Sequence, residues 1–111
     1  MGIDFYIAEE QIRITNAKWY NKFLNWVADQ GDYPQILNHS PINGRYRLKA
    51  TVPPTLYDGS IPQLKKELMA LTEKKPPVWA QHILSQMLEG IELALDIGVE
   101  ITMDDGAWYG S

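Results

Sequence analysis

The chain contains no cysteine. That removes disulfide staples, thiolate nucleophiles and cysteine-type zinc sites together, and it agrees with a reducing compartment. Histidine is scarce as well, with only His39 and His82. Lys and Arg total 10 against 14 Asp and Glu, a net charge of −4. A nucleic-acid binder usually carries a basic domain or stripe, so this balance argues against one. No apolar run approaches the roughly 20 residues of a membrane span. The opening MGIDFYIAEEQ has neither the basic region nor the apolar stretch of a signal peptide. Met1-Gly2 would suit myristoylation, but Tyr6 stands where serine or threonine is wanted. GxGxxG, P-loop, HExxH and EF-hand spacings are all missing. These absences predict a cytoplasmic protein without a cofactor and with neither nucleic acid nor membrane as partner.

What is present is the pattern of one globular domain. The 111 residues are 45% apolar and 11% aromatic, enough for a single core. Pro76 to Asp105 organises it. At about 100° per residue, Ala80, Ile83, Leu84, Met87, Leu88, Ile91, Ala94 and Leu95 share one face of a long helix. Pro76-Pro77 suit its start and Gly98 its end. Val99, Ile101 and Met103 then alternate with Glu100, Thr102 and Asp104 as a half-buried strand. Gly90 lies mid-helix at a cost of about 1 kcal/mol relative to alanine, which predicts close approach of another backbone. Leu93 falls on the polar face and reads as a lone exposed leucine.

Upstream, Ile3, Phe5 and Ile7 mark one strand and QIRIT (11–15) another, with Glu9-Glu10 as the hairpin turn. Thr15 or Asn16 caps a helix running to about Gln30, whose buried side is Trp19, Tyr20, Phe23, Leu24 and Val27. Trp26 borders that side, either covering the sheet edge or lining a ligand groove. GDYPQILNHSPING (31–44) is rich in turn-formers and reads as a loop. Tyr46, Leu48, Ala50 and Val52 alternate with Arg45, Arg47, Lys49 and Thr51 in a third strand. Its basic row reads first as a solvated face or a protected sheet edge, and second as an anion or nucleic-acid surface. Ser60 caps a short helix with the stripe Ile61, Leu64, Leu68 and Leu71. Residues 106–111 form a short aromatic tail. The predicted fold is α+β, a mixed or antiparallel sheet of about four strands in the order β-β-α-β-α-α-β, with three helices on one face. Whether the last strand pairs with the first or the third is left open.

The chemistry is sparse. His39 and Ser40 are neighbours in a turn-rich loop, outside any nucleophile elbow such as GxSxG, so they read as turn residues. Aromatics and carboxylates combine at Tyr57-Asp58, Asp104-Asp105 and Trp108-Tyr109, the composition of an interface centre. These six residues are the predicted partner-binding set, and the leading expectation is a non-enzymatic protein-binding domain. An alternative is an acid/base or metal-dependent enzyme using Asp4, Asp58, Asp104 and Asp105, with Asp4 joining Glu100 or Asp104 if the end strands are neighbours. A further alternative is a homodimer built on a strand edge or a tryptophan patch.

LALDIGVEITM (93–103) and EEQIRIT (9–15) resemble segments of small bacterial immunity and inhibitor proteins of the barstar-like α/β family. The resemblance covers about a third of the chain. It implies a bacterial or phage protein that works by masking a toxin or effector. GDYPQILNHSPING departs from that family's acidic, aromatic binding helix, and Arg45–Lys49 has no counterpart there, so no binding residue is carried over.

Overall fold

The computed structural model describes residues 2–38, 45–49 and 59–104. β1 (Gly2–Ile7) and β2 (Glu10–Asn16) form an antiparallel hairpin with Ile7 opposite Glu10. The turn is therefore Ala8-Glu9, one residue earlier than predicted. Ala8 makes it with φ of 54°, a left-handed conformation uncommon for alanine, which is why no glycine or asparagine announced the turn. The register shifts between Ile3 and Asp4, leaving Ile14 as the extra residue of a β-bulge with its side chain buried.

α1 (Ala17–Gln30) follows β2 directly, because Asn16 caps it: Oδ1 accepts from the Trp19 N–H at 2.9 Å. A one-turn helix, α2 (Pro34–Leu37), occupies the stretch predicted to be all loop. Tertiary contacts fix it. The carboxylate of Glu67, on α3 (Ile61–Thr72), accepts from the Gln35 and Ile36 N–H groups at 3.0 and 3.1 Å. Gln35 Oε1 accepts in turn from the Ser60 N–H at 2.8 Å. Ser60 caps α3, and Ile61, Leu64, Leu68 and Leu71 are all buried, as the spacing predicts.

β3 (Arg45–Lys49) is the described part of the third predicted strand; Ala50 to Val52 lie outside the described residues. β4 (Gly59–Ser60) adds a two-residue parallel pairing to β3. α4 (Val78–Ile97) ends at Gly98, whose φ of 80° gives the left-handed cap, with both Gly98 and Val99 N–H groups donating to the Ala94 carbonyl. β5 (Ile101–Asp104) begins later than predicted, leaving Gly98 to Glu100 as a connection.

The fold is α+β. Among the described residues the sheet has five strands in the order β2-β1-β5-β3-β4, and there are four helices. The excess over the predicted four strands and three helices is the short β4 and the single turn of α2. β5 pairs antiparallel with both β1 and β3, so the open question of its neighbour has the answer of both. Ile3, Phe5, Ile7, Ile101 and Met103 form one core with residues of all the helices, including Phe23, Ile36, Leu68 and Met87.

Two side-chain expectations need correction. A Cβ on Gly90 would come within 2.5 Å of the Phe5 ring and 3.4 Å of Ile7 Cδ1, so a strand side chain approaches it rather than another backbone. Leu93 packs partly buried against the core, whereas Leu95 is exposed. No helix among the described residues is long and apolar enough to cross a membrane.

Candidate protein-docking end

The first turns of α1 and α4 lie side by side. Pro76-Pro77 stop the chain from extending α3 and start α4 at Val78; the Pro77 carbonyl accepts from the Ala80 and Gln81 N–H groups, each at 2.9 Å. This sets Trp79 beside Trp19, with ring centroids 5.9 Å apart and planes tilted by 44°. Lys22, one turn after Trp19, places its Nζ 4.7 Å from the Trp19 centroid and 5.0 Å from that of Trp79. One ammonium thus serves two indole faces, a contact that holds both rings in position.

The pair is half open: Trp79 packs partly buried against the core. Trp19 is 39% exposed and Val78 is 80% exposed. Between them runs a cleft of about 270 Å³ lined by Thr15, Trp19, Val78, Trp79, His82 and Ile83. Neither first turn contains an acidic residue. Lys18 and Lys22 lie on α1, and Lys74 and Lys75 precede Val78 in the chain. A second groove of about 420 Å³ lies on the α3 side of α4, between Thr72, Lys75, Pro76, Gln81, Leu84, Ser85 and Leu88. The start of α4 therefore stands as a ridge between two grooves.

Register places Arg13, Asp4, Asp104 and Arg45 directly opposite one another across β2, β1, β5 and β3. Asp4 does join Asp104, as the alternative enzyme reading requires. However, Asp4 is only 2% exposed and its carboxylate is taken by the Arg13 guanidinium, with Nε donating to Oδ1. That hydrogen bond, with the charge of Asp4 behind it, raises the Arg13 pKa above its ordinary value. Glu100 lies before β5 rather than in it. No group of three or more His, Cys, Asp or Glu side chains among the described residues could hold a metal ion.

Of the six predicted partner-binding residues, Asp104 ends β5, across from Asp4 and Arg45. Tyr57, Asp58, Asp105, Trp108 and Tyr109 lie outside the described residues, as do His39 and Ser40. Trp19, predicted on the buried side, is instead exposed and pairs with Trp79. Trp26 is half-buried and stacks on Phe23 at 6.1 Å rather than lining either groove. Sequence reasoning passed over Val78 and Trp79. The available signal was a valine and a tryptophan immediately after Pro-Pro, where a helix begins before it has packed against anything.

Fold and surface together define the class: a small α+β domain whose described surface has a half-open tryptophan pair beside Lys22 at one end. No protein-family model, no curated protein and no solved structure matches the chain.

Proposed function

We propose that this is a non-enzymatic protein-binding domain, most concretely an inhibitor or immunity-type protein that occupies another protein. The observation that carries the reading is the Trp19–Trp79 pair beside Val78, with Trp19 and Val78 exposed at the helix starts and Trp79 half-buried behind them. Exposed tryptophans rimmed by polar and charged groups are the composition of binding hot spots. Lys22 fixes the rings before a partner arrives, which lowers the ordering cost of association. Burying Val78 and one tryptophan face would contribute about 1.5–3 kcal/mol each. The resemblance of residues 9–15 and 93–103 to immunity proteins supports the same class.

Affinity capture from the native host tests it. The wild-type chain should retain a stoichiometric protein, and the Trp19→Ala/Trp79→Ala variant should lose it. Equal retention by the double variant, or no stoichiometric protein with the wild type, contradicts the reading.

A further inference from the structure

The local charge of the tryptophan end opposes that of the whole chain. The protein carries −4 overall. Yet the first turns of α1 and α4 hold no carboxylate, and the charged side chain over the rings is Lys22, with Lys18 one turn earlier on α1. His82 lines the cleft itself. Resting on the docking reading above, we infer that this end binds an acidic segment of a partner protein, anchored by an apolar side chain in the cleft between Trp19, Val78 and Ile83.

Three magnitudes select that occupant. The cleft, at about 270 Å³, lies below the roughly 300–1,000 Å³ of small-molecule sites, but it accommodates a leucine or aromatic side chain. Its walls are indole and aliphatic, so an apolar group gains by entering and a charged one does not. The carboxylates of an acidic segment then fall outside the cleft, towards the Lys22 ammonium beside its rings. Exposed ion pairs of this kind are worth about 0.2–1 kcal/mol each. Their main effects are faster encounter and rejection of basic segments. A nucleic acid presents one charge about every 1.7 Å and needs a long basic track. On a chain of net charge −4, the Lys22 ammonium beside the cleft suits a short acidic segment better.

The test uses the full chain labelled at its tryptophan indoles. The Trp19 and Trp79 signals are assigned by single substitution and followed by NMR during titration. The probes are a short peptide alternating glutamate with leucine and the matched lysine-leucine peptide. The acidic peptide should shift both signals saturably, bind more weakly as salt rises, and bind about tenfold more weakly to Lys22→Glu. The lysine peptide should leave both signals in place. Equal shifts with both peptides, or an unchanged affinity in Lys22→Glu, overturn the acidic-segment inference while leaving the docking surface intact. The same shifts produced by a single-stranded oligonucleotide or by anionic vesicles assign the end to another class of partner and overturn it too. Concentration-dependent shifts of the chain alone would mean that a second copy is the occupant. If no probe moves either signal, the inference fails; whether the docking reading survives is then decided by whether the double tryptophan variant still loses the captured protein.

Discussion

The Tyr20 hydroxyl is fully buried in the core with no hydrogen-bond partner among the described residues. Burial alone drives its phenol far above the ordinary pKa, so it stays neutral throughout the physiological range. A buried unsatisfied hydroxyl costs about 1–3 kcal/mol, and phenylalanine has the same shape without it. Tyr20→Phe should therefore raise stability by about 1 kcal/mol in urea denaturation; a loss of stability would mean that the hydroxyl has a partner in solution. The helical wheel placed Tyr20 correctly and its neighbour Trp19 wrongly. Both sit in the apolar arc of α1, but periodicity reports only which side a residue is on. Trp19 lies in the first turn, where Trp79 of α4 is its neighbour, and it stays exposed while Trp79 is half-buried against the core. Which face a residue takes is local information; what awaits it there is not.

Elements show the same division. α1, α3 and α4 were legible because caps, prolines and 3.6-residue spacing agree over each of them. α2 was not, because a single turn has no periodicity and is held by Glu67, which lies 31 and 32 residues away from its two donors in sequence. The central place of β5 was equally hidden, since alternation gives a strand its face and not its neighbours. Gly90 tests the packing of α4 on β1. Alanine there gains about 1 kcal/mol in helix propensity, but its Cβ would meet the buried Phe5 ring at 2.5 Å. Overpacking typically costs about 1–3 kcal/mol, so Gly90→Ala should lower the melting temperature. An increase would show that the ring moves aside freely.

Glu67 supplies a pH test of the α2–α3 contact. Desolvation raises its pKa above the usual 4.5, while the two N–H donors from α2 pull the other way. Its folded pKa therefore exceeds its unfolded one, and the folded state is the better proton acceptor. Its contribution to stability improves as pH falls through the folded pKa, and it is complete below the unfolded one. Glu67→Gln cannot take up that proton. Comparing the two chains at neutral pH and at about pH 4, the stability difference should shift in favour of the wild type on acidification. A constant difference, or a shift towards the variant, would contradict this account.

At the scale of the molecule, net charge was a poor guide to partners. An acidic total says nothing of where the cations lie, and Lys22 stands over the Trp19–Trp79 pair. The Asp4–Asp104 juxtaposition anticipated for a metal site is present, but Arg13 already neutralises Asp4. Magnesium, calcium and manganese should accordingly leave the melting temperature unchanged, since only a ligand bound by the native state raises it. A saturable increase with any of the three would revive the metal-dependent reading.

The central claim is that the start of α4 exists to be covered by another protein, and Val78 tests it most directly. At 80% exposure this residue adds little to the core, and an aspartate in the first turn of a helix is favoured by the helix dipole. Val78→Asp should keep the melting temperature of the wild type, or slightly exceed it, while losing the captured protein. Retention of the partner at full stoichiometry by this stably folded variant would contradict the account.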